Sequence, residues 1–281
     1  MGYDNVRDDV LLNPGPVIKE ALLDSDPLMY VRRINTDGSP SATGSIAVTS
    51  TTITFYSSND ATVPEGGSTS ATNFPDITGK ITNGAVDLSA YGSAPVTWGE
   101  LVNLINAQPN WEAWLVGARP DVAIVDADLL AQAVAATTAG VTSADGAPIY
   151  GDTSAVKAIA LGITHNGSTQ LGSKHNNDVG VNHVLSSVIA NITSASGTLE
   201  TNLYECDDDA GTSTLVATLI EGMTSGTEAT YAPAGGIHTA QGKRLVVEVV
   251  GGAPTAGYVK AVASTMTMGP GRPGFYASDN G

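Results

Sequence analysis

The chain has 281 residues and a formal net charge of −16; 42% of its residues are hydrophobic but only 14% are charged. The hydrophobic fraction is sufficient for a core, whereas charged residues fall well below the usual quarter of a globular domain. The twelve Lys and Arg residues are scattered, with adjacent pairs only at Arg32-Arg33 and Lys243-Arg244. Nucleic acid and anionic membranes both attract basic patches, so neither is an expected partner.

Cysteine usage and targeting signals place few further limits on function. The lone Cys206 has no partner for an internal disulfide, so we expect a small buried hydrophobe there and no stabilisation by an oxidising compartment. The N-terminal residues lack a basic region followed by an apolar stretch, and no run of about 18 apolar residues occurs. The chain is therefore expected to be made in a cytoplasm and to remain there or leave within a larger assembly.

Residues 1–40 are predicted to form an N-terminal arm. Asn13-Pro14-Gly15-Pro16 and Asp37-Gly38-Ser39-Pro40 break the chain, and Val17 to Leu23 are predicted as a short helix between them. Such a segment has too little apolar surface to fold alone. It is interpreted either as an arm lying along a neighbouring subunit or as a disordered terminus.

Residues 41–136 are predicted to form a small α+β domain that begins with strands. Apolar residues alternate with Thr and Ser from Ile46 to Phe55, with a tight turn at Ser50-Thr51. Residues 58–76 are polar and rich in Gly, Pro and Ser, which is typical of a long exposed loop. Strand character resumes at Ile81 and continues to Leu88.

The strongest helix signal starts at Thr97, where Thr97-Trp98-Gly99-Glu100 fits a capping box. Pro109 ends this helix, and a strand from Trp111 to Val116 follows. A second helix is predicted from Asp126 or Asp128 to Ala136, because good helix formers follow acidic residues there.

All three tryptophans, Trp98, Trp111 and Trp114, lie in this one segment. We expect them to form the hydrophobic centre of the first domain. The alternative is a carbohydrate-stacking platform, which requires two of the three indoles to be exposed.

Residues 137–153 are predicted to be a linker, residues 154–268 a β-sandwich or jelly-roll-like domain, and residues 269–281 an irregular tail. Seven short strands joined by Gly, Asp and Ser clusters support the sandwich. They are predicted at Val156–Thr164, His183–Thr193, Thr198–Cys206, Thr214–Ile220, Thr227–Tyr231, Arg244–Val250 and Tyr258–Ser264. The expected fold class is mainly β: an N-terminal α+β domain, then a β-sandwich, with irregular terminal arms.

Two stretches give the chain a family resemblance. The first stretch resembles a module of tailed-bacteriophage structural proteins; it reads GSIAVTSTTITFYSS, followed by ITNGAVDLSAYGSAPVTWGELVNLINAQPNWEAWLVGA. In that module a hairpin leads to a helix of the form T-x-x-E-L-V-x-x-I-N and then to a strand of the form W-x-A-x-L-V-G-A. TLETNLYECDDDAGTSTLVATLIEG and GKRLVVEVVGG are similar to small sandwiches on phage heads and tails. The resemblance extends over about two thirds of the chain and lies in the order of strands, turns and loops, not in an exact motif. It implies a virion component, foremost a capsid decoration or cement protein, and carries over no catalytic residue.

Signals for chemistry are weak, and we expect no catalytic residue, metal or cofactor. His175 and His183 match no standard zinc spacing, so a turn-rich loop is favoured over a metal site. Asp207-Asp208-Asp209 lacks the alternation of a calcium loop and is favoured as a turn. No G-x-S-x-G elbow or phosphate-binding loop occurs.

The expected function is therefore a non-enzymatic virion protein that binds the outer face of a phage head and stabilises it. The expected partners are the major capsid protein and further copies of the chain, as a trimer or, less favoured, a dimer. The alternatives are a tail, fibre or adhesin-type carbohydrate-binding protein and, third, a polysaccharide depolymerase. Partner contacts are predicted in the terminal segments, at Leu11, Leu12, Val17, Leu22, Leu23, Arg272, Phe275 and Tyr276.

Overall fold

The structure, a computed structural model of the chain, divides into two compact units. The first contains Met1–Asp24 and Lys157–Gly281, and the second contains Ser25–Val156. The second unit is thus inserted in the sequence of the first. The structure describes residues 16–23, 26–37, 41–65, 81–89, 96–124, 129–137, 146–151, 157–161, 181–207, 212–238 and 243–267.

The first unit consists of antiparallel strands in two sheets. In chain order its strands are β1 (Pro16–Leu22), β10 (Lys157–Leu161), β11 (Val181–Ala195), β12 (Leu199–Asp207), β13 (Ser213–Met223), β14 (Thr227–Tyr231), β15 (Ile237–His238), β16 (Lys243–Gly251) and β17 (Pro254–Thr267). One sheet has the order β1-β17-β11-β14, with β15 also paired to β11, and the other has the order β10-β16-β12-β13.

The two sheets share one apolar core, as in a β-sandwich. Alternate residues of β11, such as Val188 and Ile192, are fully buried in it, which is the period of two expected for a strand with one inward face. From the other sheet, Leu203 on β12 and Val247 on β16 enter the same core. The predicted sandwich is confirmed, and each of its seven predicted strands overlaps an observed one.

The second unit combines strands with one described helix. Its elements are β2 (Met29–Arg33), β3 (Ser45–Val48), β4 (Thr52–Tyr56), β5 (Ile81–Thr82), β6 (Ala85–Asp87), α1 (Trp98–Asn106), β7 (Trp111–Leu115), β8 (Gln132–Ala136) and β9 (Ala147–Ile149). They form a three-stranded sheet of order β7-β2-β9 and a five-stranded sheet of order β5-β6-β4-β3-β8. The mainly β fold with an N-terminal α+β portion is therefore confirmed.

Helix α1 begins where the sequence predicts. The Thr97 hydroxyl accepts a hydrogen bond from the Glu100 amide at 3.2 Å, and the Glu100 carboxylate accepts one from the Thr97 amide at 2.9 Å. The capping box thus satisfies two donors that a helix start leaves without partners. Leu101, Val102 and Ile105 are buried, and the helix packs against β7, whose five residues are all buried.

The predicted second helix, from Asp126 or Asp128 to Ala136, is wrong over its final residues. Gln132–Ala136 form strand β8, antiparallel to β3, with Ser45 opposite Ala136. Alanine has the highest intrinsic helix propensity, but such propensities are small, and hydrogen bonds to a neighbouring strand override them here. Residues 125–128 lie outside the described residues.

The predicted domain boundaries also need correction, because strands occur inside the predicted arm and linker. In the predicted arm, the short helix expected from Val17 to Leu23 is wrong: Pro16–Leu22 form β1, whose seven residues all pair with β17 from Pro16 opposite Ser264 to Leu22 opposite Tyr258. Met29–Arg33, also assigned to the arm, form the central strand β2 of the second unit. Within the predicted linker 137–153, Ala147–Ile149 pair with β2. The tail, residues 269–281, lies outside the described residues.

Candidate interaction surfaces

The terminal residues predicted to contact a partner have different positions in the structure. Leu11, Leu12, Arg272, Phe275 and Tyr276 lie outside the described residues. Val17 lies in β1, opposite Ala263 of β17.

Two adjacent leucines of the same predicted set differ in burial. Leu22 is 39% exposed, whereas Leu23 is 1% exposed and belongs to the core of the sandwich. The Leu23 amide also donates to the Gly257 carbonyl at 3.0 Å. The prediction for Leu23 is therefore wrong, because its side chain is already buried against its own chain.

The three tryptophans are all buried. Trp98 is 3% exposed and Trp111 and Trp114 are each 1% exposed. Trp111 packs edge-on against Phe55 with ring centroids 4.9 Å apart, and Trp114 stacks on Tyr30 at 5.8 Å. The expectation that they form the centre of the first domain is confirmed, and a carbohydrate-stacking platform of two exposed indoles is contradicted.

The adjacent arginines of β2 are used inside the second unit. Arg32 forms a buried ion pair with Glu112 of β7, and its guanidinium lies 5.4 Å from the centroid of the Trp114 ring. Arg33 donates through Nε to the fully buried Glu65 carboxylate at 2.6 Å. Both positive charges thus face carboxylates of the same chain: the Arg32 pair joins β2 to β7, and the Arg33 pair joins β2 to the segment that follows β4.

Residues considered for metal binding or nucleophilic chemistry give no assembled site in the described structure. Among the described residues, no three His, Cys, Asp or Glu side chains come close enough to hold a metal ion. His175, Asp208 and Asp209 lie outside the described residues, and the backbone of His183 lies in β11. Cys206 forms no disulfide and is buried at 0% exposure, as expected for a small core residue.

The Asp60 carboxylate is exposed and has a lowered pKa. The side-chain hydroxyls of Thr62 and then Ser58 lower the pKa of Asp60 below its ordinary value, by hydrogen bonding to the carboxylate. Asp60 is therefore ionised at neutral pH and adds to the negative surface.

No helix within the described parts of the chain has the length and apolar character needed to cross a membrane.

The sandwich presents an apolar pair on strand β13, which ends its sheet. Leu215 is 51% exposed and Val216 is 47% exposed. Leu215 lies opposite Tyr204 and Ala217 opposite Leu203, so the register shifts by one residue and Val216 has no residue opposite it. This is a β-bulge, and it interrupts the inward–outward alternation so that two consecutive apolar residues are exposed.

The second unit repeats this arrangement on strand β8, which ends the five-stranded sheet. Ala135 lies opposite Ile46 and Gln132 opposite Val48, so two residues of β8, Ala133 and Val134, face one residue of β3. Val134 is 46% exposed, and nearby Leu130 is 47% exposed. Each unit therefore has an irregular edge strand with exposed apolar residues, Leu215 and Val216 on β13 and Val134 on β8, and Leu130 lies just before β8.

Sequence reasoning missed these four residues. The signal at β13 is the run Leu215-Val216, since two consecutive apolar residues in a strand that alternates cannot both face one core. Near β8 the exposure of Leu130 and Val134 was not predicted, because the segment was interpreted as a helix, in which these two residues would share one face.

Comparisons with known proteins identify no family for this chain. No protein-family model matches it, and no curated protein is similar to it. One solved structure, of infectious bursal disease virus (Gx strain), aligns over 91% of this chain with 13% identity and a TM-score of 0.23. The aligned region spans 59% of that viral chain, and a TM-score this low carries no argument about fold or function.

Proposed function

We propose that the protein is a non-enzymatic structural component of a tailed-phage virion, which binds the outer face of the capsid and reinforces it. The observation that carries this proposal is the pair of bulged edge strands, one in each unit, with exposed apolar side chains at Leu215-Val216 of β13 and at Val134 of β8. Two such edges give one chain two separate surfaces for contact with neighbouring subunits. Cross-linking of that kind is what reinforcement of a shell requires.

The chemistry of these edges fits protein contact. Sheet edges are normally protected by charged side chains, proline or bulges; β13 has a bulge, but it carries Glu221 as its one charged residue and no proline, and it leaves Leu215 and Val216 exposed. Exposed apolar residues grouped at one place mark a surface for association. Specific contacts bury on the order of 800 Å² per partner, so each edge supplies the centre of a larger contact.

The proposed partner is the major capsid protein, and the proposed assembly is a homotrimer placed at a local three-fold position of the shell. An adhesin-type carbohydrate-binding protein is an alternative function. Because all three tryptophans are buried, they do not supply an exposed aromatic platform on which sugars could stack. The tail or fibre alternative predicts the same edges with a different partner, so location on the particle distinguishes the two.

The proposal predicts that capsids stripped of this protein release their DNA at a lower temperature than capsids to which it is added back. The measurement is dye access to DNA during heating, with and without the purified chain. The variant Val134→Lys/Val216→Lys is expected to lose the protection, because burying a lysine ammonium at a contact is costly.

The matched control is Val63→Lys, which changes an exposed valine that lies outside the strands and is 40% exposed. It is expected to protect the capsids as the unmodified chain does. Capsids that gain no thermal resistance from the unmodified chain would count against the reinforcing role.

A further inference from the structure

The β13 edge belongs to a run of strands that carries carboxylates and no Lys or Arg; the basic pair Lys243-Arg244 belongs to β16, which lies on the far side of β12 from β13. No Lys or Arg occurs between Lys174 and Lys243, a stretch that supplies strands β11 to β15 of the sandwich. The acidic residues that the structure describes on these strands are Glu200, Glu205, Asp207, Glu221 and Glu228, of which Asp207 lies opposite Lys243 of β16. Strands β13 and β14 therefore carry carboxylates but no Lys or Arg that could pair with them.

These carboxylates flank the exposed apolar pair along the strand. Glu205 belongs to the strand next to β13 and lies opposite Thr214, the residue before Leu215. Glu221 lies further along β13 and is exposed. Beyond the turn, Glu228 of β14 is exposed and accepts a hydrogen bond from the Asn191 amide at 2.8 Å.

Charge complementarity decides between two occupants of this edge. If two copies met through β13, both sides of the contact would carry carboxylates, with an exposed Glu221 on each, and neither β13 would supply a Lys or Arg; like charges across an interface oppose association. A surface with Lys or Arg around an apolar centre would instead pair with these carboxylates while covering Leu215 and Val216.

We propose that the β13 edge is a docking surface for a protein that presents an apolar patch rimmed by Lys and Arg, and that it is not a contact between copies of this chain. The inference depends on the proposed function only for the identity of that protein. Eleven residues at a rise of about 3.3 Å span about 36 Å, which is long enough for the apolar centre and both acidic flanks. The bulge at Val216 lies in the pairing of β13 with β12 and leaves Leu215 and Val216 exposed, so these side chains supply the apolar part of the contact.

The test uses the full chain with 13C-labelled Leu and Val methyl groups and two acetylated decapeptides, one alternating Val with Lys and the other Val with Glu. We expect the lysine peptide to shift the Leu215 and Val216 methyl resonances and to bind with a Kd at least about tenfold lower than the glutamate peptide. Raising the salt concentration is expected to weaken the lysine peptide selectively.

Two matched threonine variants locate the effect. Thr214→Lys places a cation on the β13 edge and is expected to raise the Kd of the lysine peptide at least about fivefold. Thr82→Lys places the same charge on β5, an edge strand of the second unit where Thr82 is also exposed, and is expected to change it less than about twofold.

Equal binding of both peptides, no shift at Leu215 and Val216, or equal effects of the two variants would overturn the inference. So would shifts of those two methyl groups caused by protein concentration alone, since these would indicate a second copy at the edge. Failure of the proposed function is distinguishable: a chain that binds the lysine peptide at β13 but does not protect capsids contradicts the capsid role alone.

Discussion

Replacing Glu112 by glutamine is expected to lower the free energy of unfolding of the second unit by about 3–5 kcal/mol. The substitution keeps the size of the side chain but removes the charge that faces the buried Arg32 guanidinium. An unpaired charge held away from water is costly, and Arg32 is held in place by its position on the central strand β2 and by the Trp114 ring.

Urea unfolding followed by tryptophan fluorescence measures this effect, because all three tryptophans belong to the second unit. The control is Asp121→Asn, which removes the partner of Arg119 in a pair whose side chains are 15% and 23% exposed, and which is expected to cost less than about 1 kcal/mol. Equal free energies of unfolding for Glu112→Gln and Asp121→Asn would contradict the claim that the buried pair stabilises the second unit. The double variant Arg32→Met/Glu112→Met is expected to recover much of the loss, since it leaves no buried charge.

Replacing Leu23 by alanine is expected to destabilise the sandwich by about 2–5 kcal/mol. Leu23 follows strand β1 directly and packs into the core formed by both sheets, together with residues such as Val259 and Ala261 of β17. Truncating it removes buried methyl groups and leaves a cavity that β1, at the edge of its sheet, fills only in part.

The neighbouring Leu22→Ala is the matched control, with the same chemical change at a side chain that is 39% exposed, and is expected to cost less than about 1 kcal/mol. Hydrogen exchange of β17 peptides measures both, because β1 pairs along that strand. Equal effects of the two substitutions, or no added exchange in β17 for Leu23→Ala, would contradict the assignment of the N-terminal strand to the sandwich.

Local signals predicted the elements that depend on local interactions. Thr97 and Glu100 specify the start of α1 because both halves of the capping box lie within four residues. The hairpin of β3 and β4 follows from alternation around a short turn, with Val48 opposite Ile53. The tryptophan core follows from their number and grouping in a chain with few other large side chains.

Elements that depend on distant partners were not predicted. β1 pairs with β17, more than two hundred residues away in the sequence, and nothing in residues 16–22 identifies that partner. The same holds for β9, which pairs with β2 across most of the second unit. The exposed apolar residues were missed because a bulge is a property of two strands in register, which neither sequence shows by itself.

The measurement that tests the central claim most directly is cryo-electron microscopy of the phage particle that carries this protein. The account predicts density for both units at repeating positions on the capsid exterior, with the β13 edge against a basic surface of the major capsid protein. Density confined to a tail or fibre would contradict the decoration role while keeping a structural one. Absence of the protein from the particle would contradict the proposed function altogether.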